Sequence, residues 1–360
     1  MERREIEGWL LLASVQGIGP RRFGALISRL GSPQKVLSAS TDQLSSVPGM
    51  EKRVVSSILR GGDRGWVEEQ ISRMEEKGVS LLAISDDLYP GRLRNIYDPP
   101  PFLYLQGKVT EEDNLALAIV GSRLATVYGR LVTERLAFQL AKKGITIVSG
   151  MARGIDSAAH RGALKAGGRT IAVLGCGVDV VYPPENKELM NRIIANGAVL
   201  SEFPLGSPPE AGNFPQRNRL ISGLSIGVIV VEAGQRSGAL ITAQYALDQG
   251  RDVFAIPGNI NARTSKGTNQ LIKDGAKLVD GLDDILEELG MAGVTSEAEP
   301  PPQLEGGEAE IFEILSSEPI HVDKIIRQTG YSSPQVLSLL LSLEIKGLVR
   351  QLSGKLFVRA

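Results

Sequence analysis

Seven short, β-branched apolar runs recur between residues 115 and 279: Leu115–Val120, Ile145–Val148, Thr170–Leu174, Ala198–Leu200, Ile226–Val231, Asp252–Ile256 and Lys277–Val279. Stretches with helical spacing separate most of them, at Tyr128–Lys143, Ile155–Ala166, Lys187–Ala195, Ala239–Gln249 and Asn269–Lys273. Strands that are apolar nearly throughout, with helices between them, need a parallel sheet covered on both faces. Parallel neighbours joined through helices require right-handed crossovers. The expected fold class is therefore α/β, a doubly wound, mostly parallel Rossmann-like sheet.

A chain of 360 residues leaves room for more than this sheet. Residues 1–75 read as a small domain of short helices punctuated by Gly-Ile-Gly-Pro and Val-Pro-Gly breaks. The pattern turns extended from Gly78 to Gly107, so the central domain is expected over 76–288. An acidic, Pro- and Gly-rich linker follows at 289–307. Residues 308–360 hold three helical stretches, Ile311–Leu315, Val322–Thr329 and Pro334–Lys346, and then a hairpin of Val349–Leu352 with Lys355–Val358. Ser333 before Pro334 suits a helix start. Three helices and a two-stranded wing describe a winged helix-turn-helix.

The overall net charge of −1 conceals a strong asymmetry. From Leu115 to Asp280 there are 19 basic and 12 acidic residues, whereas Gly281–Glu310 carries 9 acids and no base. A basic body beside an acidic connector points to a polyanionic ligand for the body. One cysteine, Cys176, excludes an intrachain disulfide and a cysteine-cluster metal site. Two distant histidines, His160 and His321, offer little for a metal or a His-dependent nucleophile. No signal peptide and no apolar run of about 20 residues is visible, so a cytoplasmic protein without membrane partners is expected.

In a doubly wound sheet, ligands sit beyond the carboxyl ends of the strands. The loops there are Gly121-Ser122-Arg123, Ser149 through Asp156, Gly175-Cys176-Gly177, Glu232 through Gly238, and Pro257-Gly258-Asn259. Glycines let backbone N–H groups approach an anion closely. Ser122, Ser149 and Ser237 add hydroxyls, and Arg123, Arg153 and Arg236 add charge, which predicts a phosphate-lined crevice. A dinucleotide is disfavoured, because Gly-x-Gly-x-x-Gly is absent after the first strand and Ser149-Gly150 ends the second where a ribose-binding acid belongs. No P-loop occurs either, and no cofactor is expected.

Just before the fifth run, Gly212-Asn213-Phe214-Pro215-Gln216-Arg217-Asn218-Arg219 places an aromatic, two arginines and an amide together. Aromatic faces stack unpaired bases and arginines neutralise phosphates. With the glycine loops, this segment resembles the DNA processing protein A family (DprA, also called Smf). The shared stretches are Tyr89-Pro90, Asp98-Pro99-Pro100, Leu103-Tyr104, Ile119 through Arg123, Ser149 through Asp156 with His160, Leu174 through Gly177, Tyr182-Pro183 and Asn186. They continue with Asn213 to Ile221, Glu232-Ala233, Ser237-Gly238, Thr242, Pro257-Gly258 and Gly267-Thr268-Asn269. The resemblance spans most of residues 80–280. It implies a homodimer, without catalytic turnover, that binds incoming single-stranded DNA and loads RecA on it during natural transformation.

Carried over by motif, Arg123 is a phosphate-binding arginine, Arg217 and Arg219 extend the basic pocket, and Phe214 lies near a base. Ser237, Gly238 and Thr242 present donors at a helix N-terminus. The implied DNA-binding set is Gly121, Ser122, Arg123, Ser149, Gly150, Arg153, Gly154, Phe214, Arg217, Asn218, Arg219, Ser237, Gly238, Thr242, Lys266 and Asn269. Asp156 and His160, four apart, suggest a local structural pair on one helix face. Cys176 reads as small and buried, and Glu232 as a hydrogen-bonded structural acid.

Two other functions compete. A LOG-type nucleoside monophosphate phosphoribohydrolase resembles this fold but displays Pro-Gly-Gly-x-Gly-Thr-x-x-Glu, whereas Ala233 through Thr242 has no carboxylate at that spacing. A transcription regulator would read duplex DNA through the winged helix. The third helix of that module, however, has no base before Lys346, so a protein partner suits it better than a DNA major groove. In the N-terminal domain, Gln16 through Arg22 resembles a helix-hairpin-helix, and Val47-Pro48-Gly49-Met50 a degenerate second copy.

Overall fold

The computed structural model describes residues 2–291, 304, 306–316 and 319–359, so most of the linker expected at 289–307 lies outside the described residues. Nine strands form one sheet: β1 (Ser80–Ala83), β2 (Phe102–Gly107), β3 (Ala116–Val120), β4 (Thr146–Ser149), β5 (Thr170–Val173), β6 (Gly197–Ser201), β7 (Gly227–Val230), β8 (Asp252–Ala255) and β9 (Lys277–Leu278). Their spatial order is β1-β2-β6-β5-β4-β3-β7-β8-β9. The seven strands from β6 to β9 run parallel, and β1 and β2 add an antiparallel edge. All seven expected runs appear as strands, displaced by a residue or so at their ends.

The chain starts the parallel sheet at β3, builds outward to β6, and then returns to the other side of β3 with β7. Strand order reverses there, and a crevice opens beyond the carboxyl ends of such a pair. Period-two alternation supplies both covers. Ala116, Ala118 and Val120 face a core with Leu220, Ile221, Leu224, Ala239, Ala243 and Ala246. Leu117 and Ile119 face Leu136, Ala137, Leu140, Ala159 and Ala163.

Six helices occupy Arg3–Lys77. Their core does not stand apart from the sheet. Trp9 stacks on Phe23 at 5.4 Å, and both rings meet Phe102 of β2 edge-on at 6.3 Å. Buried Gln70 accepts the Leu205 N–H at 2.9 Å and donates back to the Leu205 carbonyl.

At the other end of the chain, the helices Gly307–Ile314, Val322–Thr329 and Ser333–Ile345 pack around Ile311, Ile325, Val336 and Leu340. Strands Val349–Leu352 and Leu356–Arg359 form the wing, and Ile320–His321 adds a short third strand that the sequence pattern does not announce. Arg350 of the wing pairs with Glu134 of the central domain at 3.0 Å.

Candidate nucleic-acid interface

The loop leaving β3 is held at both ends. Ile155 N–H donates to the Ser122 carbonyl, and Gly154 lies so close that a Cβ there would stand 2.3 Å from that oxygen. Gly154 also has φ +76°, a conformation that favours glycine. Further along, Thr126 donates its N–H and hydroxyl to the two oxygens of buried Glu232, at 2.9 and 2.5 Å. Arg130 donates to the Ala125 carbonyl at 2.6 Å. Ser122 Oγ accepts the Leu124 N–H at 3.1 Å. Arg123 and Leu124 thus project from a loop whose backbone is held on both sides of them.

Asn213–Leu224 is a helix, and this changes what its arginines do. As a loop beside the crevice, the segment would present both arginines to a ligand. As a helix against the sheet, it buries Arg217, Asn218 and Arg219. Arg217 donates to the Gly150 carbonyl at 2.9 Å and to that of Val173, and its Nε to Asn218 Oδ1 at 3.3 Å. Burial lowers its pKa to about 10. Asn218 in turn donates to the Gly238 carbonyl at 3.2 Å, tying this helix to Gly238–Asp248. Arg219 pairs with Glu202 and, at 3.2 Å, with Asp98. Burial, opposed by Arg219 and reinforced by Asp98, raises Glu202 to about 7.

Phe214, one turn earlier, stays half-exposed. Its ring lies 4.9 Å from the Arg123 guanidinium and 5.6 Å from the Tyr182 ring. Gly175 passes beneath it, with room for no Cβ beyond 3.0 Å from the ring.

These pieces enclose a cavity of about 760 Å³ at the β3–β7 switch point, lined by Gly121, Ser122, Arg123, Leu124, Asp156, Tyr182, Phe214, Arg217, Asn218, Arg236, Ser237, Gly238, Ile241 and Thr242, among others. Of the residues expected from sequence, Gly121, Ser122, Arg123, Phe214, Arg217, Asn218, Ser237, Gly238 and Thr242 meet here. Gly150 and Arg153 line a small side pocket of about 30 Å³ that shares Arg123, Tyr182 and Phe214. Arg153 is tied to Glu185, and Gly154 serves the loop behind.

Four expected residues are not brought into the cavity wall. Ser149 is fully buried and donates to the Ile119 carbonyl at 2.6 Å, joining β4 to β3. Arg219 faces its carboxylates. Asn269 brackets Gly258, donating to its carbonyl at 3.0 Å and accepting its N–H at 3.1 Å. Lys266 is exposed at the start of the Lys266–Lys273 helix.

An acid, a histidine and a cysteine refine the picture. Asp156 lies in the cavity wall, and burial raises its pKa against the pull of Arg217. His160 bonds to Thr170 Oγ1 at 2.7 Å rather than to Asp156. Thr170 itself donates to the Ile147 carbonyl, so Nδ1 of His160 carries the proton. Burial lowers the His160 pKa to about 3. Cys176 is buried and burial raises its thiol to about 11.

Sequence reasoning missed Leu124, Ile241 and Tyr182. A lone exposed aliphatic has no periodic signature, and Tyr182 is brought to Phe214 only by the folded chain.

Against known proteins, the family model for DNA recombination-mediator protein A matches residues 80–290. Models for the DprA winged helix domain and the SAM-like helix-hairpin-helix tandem match 295–355 and 10–61. Protein Smf of Synechocystis is 34% identical over the full length of both chains. The crystal structure of DNA processing protein A from Streptococcus pneumoniae aligns with a TM-score of 0.69 at 36% identity, covering 79% of this chain and 97% of that one. A structure of DNA processing protein A from Helicobacter pylori, which concerns its single-stranded DNA binding mode, aligns with a TM-score of 0.53 at 34% identity, covering 59% and 95%.

Proposed function

The chain belongs to the DNA recombination-mediator protein A family, and from that premise we propose that it binds single-stranded DNA in the β3–β7 crevice and passes it to RecA. The observation that carries the reading is the juxtaposition of Arg123 and Phe214 in one open cavity. A phosphate-binding charge and a base-sized aromatic face at one place are what single-strand recognition uses. Arg236 supplies a second exposed cation in the same wall. The name of the matching family supports a role in recombination; natural transformation, a homodimer as the working unit and a cytoplasmic location are part of the same proposal.

The reading assigns no catalytic turnover. Glu232 is buried, and its two oxygens accept the N–H and hydroxyl of Thr126, so it serves the loop rather than the cavity wall. The phosphoribohydrolase alternative needs a carboxylate that Ala233 through Thr242 does not supply.

The test is fluorescence anisotropy with labelled oligo-dT and its duplex counterpart, for wild type and an Arg123→Ala, Arg236→Ala double variant. Single-strand preference that collapses in the variant supports the crevice. Duplex preference unaffected by the changes would overturn it and move the DNA to the flanking modules.

A further inference from the structure

We propose that Leu124 is an apolar base-contact post on the rim of the crevice, taking an unstacked base of a strand whose phosphates lie on Arg123 and Arg236; this rests on the single-strand reading of the cavity. Leu124 is 86% exposed and lines the cavity beside Arg123. Scattered exposed leucines are ordinary on protein surfaces, so the place of this one beside Arg123 and the restraint of its backbone carry the argument. Here the backbone is held by Ser122 Oγ on the Leu124 N–H, by Ile155 on the Ser122 carbonyl, and by Arg130 on the Ala125 carbonyl. Ala125 next to it is buried. The backbone that carries this side chain is therefore already ordered, and the loop has little ordering entropy left to lose on binding.

Ile241, 41% exposed, lines the same cavity from the Gly238–Asp248 helix. The rim thus carries two aliphatic side chains where the wall carries cations. That division suits a polymer with charged linkages and apolar base faces, and aliphatic side chains do contact and wedge bases. A small phosphorylated metabolite would make no use of an outward leucine. Phe214 offers one base-binding face at depth, and Leu124 offers a second at the mouth.

Phosphate contacts set the salt dependence of binding, whereas base contacts do not. Leu124→Ser should therefore weaken oligo-dT binding about fivefold at every salt concentration, leaving the slope of log Kd against log salt unchanged. Leu124→Trp should bind tighter, because aromatic faces stack bases better, and its added indole fluorescence should be quenched by oligo-dT. Trp9 and Trp66 lie in the N-terminal helices, so wild type provides the blank. If wild type binds oligo-dT but both variants stay within about twofold and no extra quenching appears, the Leu124 proposal falls while the crevice stands. Failure of wild type to bind oligo-dT would overturn both.

Discussion

The Arg123 guanidinium sits 4.9 Å from the centroid of the Phe214 ring, so the charge and the aromatic face of the crevice are one unit rather than two neighbouring features. Exposed cation–π contacts contribute about 0.5–1 kcal/mol, enough to hold Arg123 in place yet weak enough to yield to a ligand. The two residues should fail differently. Phe214→Leu is expected to cost about tenfold in oligo-dT affinity with the salt slope intact. Arg123→Ala should flatten that slope by about 0.7. Titrations at four salt concentrations separate the two, and identical salt behaviour in both variants would refute the division.

The total slope counts phosphates. Arg123 and Arg236 are the exposed arginines of the cavity wall, while Arg217 is buried and Arg153 is tied to Glu185. Two contacts predict a slope of about −1.4, or roughly sevenfold weaker binding from 50 to 200 mM salt. A strand crossing both protomers of a dimer would double the slope to about −2.8 and raise the loss to roughly 50-fold. Binding insensitive to salt would end the phosphate mechanism.

Arg217 looks like a DNA contact in the sequence and behaves as a keystone in the fold. Arg217→Ala is expected to destabilise the protein by about 3 kcal/mol, because the carbonyls of Gly150 and Val173 lose their donor and Asp156 its neighbouring charge. Denaturant unfolding measures this directly. A loss of DNA binding at unchanged stability would instead make Arg217 a ligand contact.

Glu202 links stability to pH. Its folded pKa of about 7 stands above the usual 4.5. The native state therefore holds a proton that the unfolded chain releases across this window. The contribution is complete below pH 4.5 and is lost as pH rises to about 7, at about 1.4 kcal/mol per unit. In Glu202→Gln that loss disappears. The difference in unfolding free energy between wild type and variant should accordingly fall by about 3 kcal/mol from pH 4.5 to 7. A difference independent of pH would mean that Glu202 is ionised throughout.

The parallel sheet was legible because each strand is buried on both faces and leaves an unbroken apolar run, as in Ala116–Val120. The crevice was legible because glycine loops follow strand ends. The segment at 213–224 was harder, since Phe214, Pro215 and the arginines give no clean apolar period. Its polar side chains turn inward because carbonyl and carboxylate partners await Arg217 and Arg219, and those partners come from Gly150, Val173, Asp98 and Glu202, distant in sequence. Ser149 shows the same limit: a hydroxyl at a strand end reads as a ligand donor, and its bond to the neighbouring strand is visible only in the fold.

The shared packing of Trp9 and Phe23 on Phe102, and of Gln70 on Leu205, makes the first helices a wall of the house rather than an annexe. Cutting them away would not yield a trimmed protein with the same crevice. It would leave Phe102 facing water where Trp9 and Phe23 now cover it, an adhesive surface that draws copies together by stickiness. A shortened chain that oligomerises would therefore report on this missing wall before it reported on any native partner.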